Sequence, residues 1–215
     1  MGKNYQGING NFSGKIGPTV GRISKGRTIT AIYQPEVRNP QTTKQQQVRT
    51  RFDLIVEFLR LFTGWAKVMC KGLSRYGSTW NGLLKINMED GNLECIAGTW
   101  PNYVVDPTKA ELCRGDLELP WNPNGAIDSN ILTVEWTDNS DIGQAKGNDH
   151  ACLAAYNGAK KSVVYSLTAG VREEVAAYLT LPTAWGGDSV DVFLAFRSDN
   201  GELVSDSAYI GRMTV

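Results

Sequence analysis

Few residues in this chain are spaced for chemistry. The single histidine lies in His150-Ala151-Cys152, and on a strand residues two apart share a face, so an imidazole and a thiol would reach one site together. Nothing nearby completes that site: no Cys-x-x-Cys pair supports zinc, and no Gly-x-Ser-x-Gly elbow supplies a serine nucleophile. Asp138, Asp141 and Asp149 offer oxygen ligands to Ca²⁺, but their spacing matches no EF-hand loop and reads as solvated acids. Glu173 and Glu174 are adjacent and point to opposite strand faces, so they are not the facing carboxylates of a glycosidase. The cations among glycines from Gly21 to Lys25 do not spell a Walker loop, and no dinucleotide fingerprint occurs. Arg114-Gly115-Asp116 is the tripeptide read by integrins, although a tight turn explains its glycine equally well. With no assembled acid, base or nucleophile, the expectation is a protein that is not an enzyme and has no catalytic residue, metal or cofactor.

Charge is more informative. Residues 1–52 carry nine cations against Glu36 alone, residues 53–100 are balanced, and residues 101–215 are net −8, so a formal charge of zero conceals a gradient from +8. An asymmetry of this size points to a partner for the basic end. Nucleic acid is one, because phosphates attract a basic arm without regard to sequence. The acidic half of a neighbouring copy is the other, giving a head-to-tail contact. A solvated basic segment with no specific partner is the plain alternative.

Three regions must position these charges. Residues 1–40 form a basic, Gly-rich extended arm, in which Gly21 to Tyr33 reads as two short strands with a turn near Ser24 to Gly26. Basic and apolar residues alternate there, so one face can bury while the other meets an anion. The arm is too poor in apolar residues to build a core alone. Residues 41–97 are helical: Val48, Phe52, Ile55, Val56, Leu59 and Phe62 fall on one helical stripe, with Gly64 as the stop. Shorter helical segments are expected at Trp65 to Arg75 and Asn81 to Met88. Residues 98–215 change to short strands, read at 100–105, 113–119, 131–137, 151–156, 162–167, 175–181, 190–198 and 207–213, with a break at Pro120 to Asn124 and a turn at Asp199-Asn200-Gly201. The expected fold class is therefore mainly β with a helical N-terminal part: an immunoglobulin- or fibronectin-like antiparallel β-sandwich, anchored by Trp136, preceded by a Gly-rich arm and one long amphipathic helix.

Composition narrows the class further. With 41% hydrophobic and 9% aromatic residues and no apolar run near the roughly 20 needed to cross a bilayer, neither a helical membrane protein nor a disordered chain fits. Met1 to Asn11 has no apolar h-region, so no signal peptide is expected. Cys70, Cys95, Cys113 and Cys152 are too scattered for a disulfide framework and read as reduced structural thiols of a protein made in a reducing cytoplasm.

Gly14-Lys15-Ile16-Gly17-Pro18-Thr19-Val20-Gly21, the run from Arg38 to Phe52, Asp191-Val192-Phe193-Leu194-Ala195-Phe196 and Val204 to Gly211 together resemble an uncharacterised family. That family is widespread in Bacteroidetes genomes and in phages and prophages of those hosts. The resemblance carries no catalytic residues with it. Its phage association implies a virion component, assembled with copies of itself or with other virion proteins and not with a membrane. The expected interface then comprises Lys15, Arg22, Lys25, Arg27 and Arg38 for electrostatics, with Ile23, Ile29, Ile32 and Tyr33 for strand addition to a partner sheet. A second reading makes the sandwich a glycan- or host-surface-binding module through Trp121, Tyr156 or Trp185. A third makes the protein a nucleic-acid-binding accessory.

Overall fold

The computed structural model describes residues 2–4, 12–24, 26–36, 39–71, 73, 78–88 and 95–215, excepting the side chains of 2–4. The chain divides into two compact units, Met1–Thr42 and Thr43–Val215.

The first unit is a four-stranded antiparallel sheet of β1 (Gly2–Asn4), β2 (Gly14–Ile16), β3 (Thr19–Ser24) and β4 (Arg27–Ile32), in the order β1-β4-β3-β2. The two expected strands are β3 and β4. Ser24 pairs with Arg27, and Gly26 takes φ +72° between them, a left-handed value that a two-residue turn requires and glycine adopts without strain. Among the described residues of this unit only Gly21 and Thr28 are buried. The sheet has pairing but almost no interior, as its sparse apolar content dictates.

The second unit begins with α1 (Thr43–Arg60), α2 (Thr63–Met69) and α3 (Thr79–Ile86). Three helices therefore replace the one long helix expected. The chain turns at Leu61-Phe62, and Gly64, read as a stop, lies inside α2. Ser78 caps α3 by accepting from the Asn81 amide. On the α1 stripe Ile55, Leu59 and Phe62 are buried, while Val48 and Phe52 on its first turns are exposed.

Strands follow: a hairpin of β5 (Ile96–Thr99) and β6 (Asn102–Val105), then β7 (Trp121–Asp128), β8 (Ile131–Thr137), β9 (His150–Asn157), β10 (Ser162–Val171), β11 (Ala176–Thr180), β12 (Ser189–Arg197) and β13 (Ala208–Thr214). They form antiparallel sheets ordered β10-β9-β12-β13 and β11-β8-β7. Two cores lie on the two faces of the four-stranded sheet. Ala151, Leu153, Ala155, Val192, Leu194 and Phe196 pack against Leu132, Val134 and Trp136 of the three-stranded sheet. Cys152, Ala154, Tyr156, Phe193 and Ala195 pack against Phe58, Phe62, Trp65 and Met69 of the helices. The central strands β9 and β12 are thus covered on both sides.

Three strand assignments change. Ile96–Thr99, which begins inside the segment expected to be helical, is strand β5. Residues 113–119 form no strand; Leu117 makes a single bridge to Ser205. The break expected at Pro120 to Asn124 is instead the start of β7, an edge strand whose register shifts between Trp121 and Asn124. A bulged edge is where a sheet tolerates proline.

Candidate functional site

The arm's function rests on which way its side chains point, and the strand register decides this. Paired residues share a face, so Lys15, Val20, Arg22, Ser24, Arg27 and Ile29 lie on one side of the sheet. Ile16, Thr19, Gly21, Ile23, Thr28 and Ile32 lie on the other. One face therefore carries the described cations Lys15, Arg22 and Arg27, and the opposite face carries three isoleucines, exposed by 48% at Ile16, 57% at Ile23 and 78% at Ile32. Tyr33 joins the cationic face: its ring lies 3.6 Å below the Lys15 Nζ, and its amide donates to the Pro18 carbonyl at 2.7 Å. Of the nine expected interface residues, the structure brings Lys15, Arg22, Arg27, Ile29 and Tyr33 onto one side and Ile23 and Ile32 onto the other. Lys25 and Arg38 lie outside the described residues.

The other sequence candidates are occupied structurally. His150 Nε2 lies 3.3 Å from Asp199 Oδ1, and Cys152 is buried with its thiol donating to the Leu167 carbonyl at 3.3 Å. Of the loop acids, Asp149 pairs with the buried Arg172 at 3.1 Å. Asp138 accepts from the amide and hydroxyl of Ser140, which hold its carboxyl below the usual carboxylate range. In the integrin-type triplet, Arg114 binds Glu111 through two nitrogens. Gly115 packs against the Val204 carbonyl, leaving no room for a Cβ. Trp185 and Tyr156 are core residues; of the proposed aromatic platform only Trp121 is exposed.

All four thiols are free and buried. Burial pushes Cys70 and Cys152 up to about 12 and Cys95 up to about 11 from the ordinary value near 9. A thiol whose folded value is raised contributes stability that is complete below pH ~9 and disappears as pH climbs through the folded value. Unfolding free energy measured in urea is therefore expected to be flat from pH 7 to 9 and to fall steadily above. Ellman's reagent at pH 8 is expected to find no reactive thiol until denaturant is added, then four. Rapid labelling of the native protein would contradict this burial.

Sequence reasoning missed one constellation. In β12 a lone acid, Asp191, interrupts the apolar run Val190 to Phe196, and its side chain is 3% exposed. Its Oδ1 accepts from the Tyr209 hydroxyl at 2.8 Å and Arg212 Nε at 3.0 Å, and its Oδ2 accepts from Arg212 Nη2 at 3.1 Å. Burial and the hydrogen bond to Asp191 push the Tyr209 hydroxyl up to about 12. Asp191 and Arg212 border a cleft of about 390 Å³, walled by Leu54 and Phe58 of α1, Leu61 in the turn after it, and Tyr103 and Val104 of β6. The signal was the carboxylate set among branched apolar residues, which is costly unless paired.

No described helix is long and apolar enough to cross a membrane. No curated protein and no solved structure matches the chain. A family model does match, over residues 11–211, an interval that holds all four of the segments whose resemblance was noted. The chain belongs to that family, described as a family of unknown function (DUF6266).

Proposed function

We propose that this is a non-enzymatic assembly protein, a component of a phage or prophage particle, that docks through its N-terminal sheet onto a neighbouring copy. The observation that carries the reading is the segregation of Ile16, Ile23 and Ile32 from Lys15, Arg22 and Arg27 on a sheet with almost no interior. Magnitudes favour a protein partner over nucleic acid. Each isoleucine fully covered contributes about 1.5–3 kcal/mol, whereas an exposed cation near a counter-charge contributes about 1 kcal/mol or less and is screened by salt. The cations then set orientation: residues 1–42 hold six cations and one acid, net +5, and the remainder is net −5, which suits head-to-tail contact between copies. The virion setting rests on the resemblance of residues 14–21, 38–52, 191–196 and 204–211 to phage-associated sequences. The strand orders β11-β8-β7 and β10-β9-β12-β13 support a fibronectin-like sandwich as the body.

Light-scattering mass at 50 mM and 500 mM salt tests this. The native chain is expected to form a multimer that high salt weakens. The Ile23→Asp/Ile32→Asp variant is expected to weaken association at least ~100-fold, about 3 kcal/mol. Arg22→Glu/Arg27→Glu is expected to remove the salt dependence. An unchanged mass distribution for the isoleucine variant would overturn the reading.

A further inference from the structure

The cleft beside α1 contains a group that nothing in the fold uses. Tyr156 on β9 is 8% exposed. Its ring is fixed edge-on to Phe58 at 5.0 Å, yet its hydroxyl has no hydrogen-bond partner among the described residues. The hydroxyl is not one of the sealed, unpaired polar atoms of the fold; it opens to the cleft, where it can donate to a bound acceptor. Tyr156 lines the cleft together with Arg212 and Lys161. Arg212 is locked by Asp191 through Nε and Nη2, which leaves Nη1 able to donate. Lys161 binds Glu57 at 2.9 Å through one of its three donors. The rest of the wall is apolar and includes Leu54, Leu61, Val104 and Pro107. Each cation is already matched by a carboxylate, so the site offers hydrogen-bond donors without a large net charge.

We propose that this cleft is a small-molecule site for a compact apolar ligand bearing one hydrogen-bond-accepting head group. The apolar body lies against Leu54, Phe58, Leu61 and Val104, and the head accepts from the Tyr156 hydroxyl and Arg212 Nη1. About 390 Å³ falls within the range of small-molecule sites, roughly 300–1,000 Å³. A body of two or three fused or linked rings fills it. The inference is independent of the arm, because every residue it uses lies in the second unit.

The probes are 8-anilinonaphthalene-1-sulfonate, an apolar body with an accepting head, and N-phenyl-1-naphthylamine, the same ring system without the sulfonate. Fluorescence titration of the full chain is expected to show one saturable sulfonate site per chain, with a dissociation constant on the order of 10 µM. The neutral probe is expected to bind about tenfold more weakly. Val104→Trp, at an exposed position on the rim, is expected to abolish saturable binding of both probes. Tyr156→Phe, which deletes only the unpartnered hydroxyl, is expected to weaken the sulfonate probe roughly 2- to 10-fold and leave the neutral probe unchanged. The Ile23→Asp/Ile32→Asp variant is expected to bind both probes as the native chain does. Saturable binding that survives Val104→Trp, or that is lost in the isoleucine variant, places the probe elsewhere and overturns the proposal. Equal affinities of the two probes, both indifferent to Tyr156→Phe, overturn the accepting head.

Discussion

Replacing Arg172 by alanine is expected to lower the unfolding free energy by about 3–5 kcal/mol, read as a large drop in urea midpoint. Its side chain is fully buried, and each of its three nitrogens donates a hydrogen bond. Nε donates to Asp149 Oδ2 at 3.1 Å, Nη1 to Asn139 Oδ1 at 2.6 Å and Nη2 to the Glu118 carbonyl at 3.1 Å. The plane stacks 3.7 Å from the centre of the Phe196 ring. Burial pulls the guanidinium below its usual value, and Asp149 opposes that shift. Truncation therefore strands a buried carboxylate and a buried amide oxygen and opens a gap against Phe196. The loss comes from those abandoned groups more than from the worth of the pair itself. Arg114→Ala is the matched control, because its bridge to Glu111 at 2.9 Å is solvent-accessible and is expected to cost no more than about 1 kcal/mol. Equal, small effects from the two substitutions would show that Arg172 does not organise this end of the packed sheets.

The network explains why part of the structure was legible in the sequence and part was not. Local patterns carried what local physics decides. Alternation in Leu132-Val134-Trp136 marked β8, observed at Ile131–Thr137, and the helical stripe from Val48 to Phe62 marked α1. The basic and apolar alternation in the arm anticipated two unlike faces, but register was needed to show that Ile29 sits with the cations and Ile16 with the other isoleucines. Long-range pairings left no local mark. Arg172 reads as a surface charge next to Glu173 and Glu174 until the fold brings up Asp149 and Asn139 from another loop. Likewise Trp121-Asn122-Pro123-Asn124-Gly125 has turn composition, and only its place at a sheet edge makes it a strand. The cleft was invisible for the same reason, since its walls come from α1, β6, β9, β12 and β13.

Phe193→Ala is expected to cost about 3–5 kcal/mol, in the same range as Phe196→Ala, although the two residues lie on opposite faces of β12. Val190, Val192, Leu194 and Phe196 alternate as a half-buried strand would, which on its own turns Phe193 and Ala195 to solvent. In the structure that second face is covered: Phe193 is fully buried, with its ring 6.3 Å from Phe62 in the turn between α1 and α2 and 5.5 Å from Tyr209 on β13. A strand buried on both sides reads as a continuous apolar run, and β12 is one, broken only by Asp191. Urea unfolding of the two alanine variants, with slopes unchanged from the native chain, measures both faces in one experiment. A two-layer sandwich would lose stability at Phe196 and no more than about 0.5 kcal/mol at Phe193. Comparable losses at both positions require a third layer, which makes the helices an integral part of the body. The Asp191 network and the Tyr156 cleft lie at the same junction of helices and sheet, so a failed Phe193 prediction would remove the walls on which the ligand site depends.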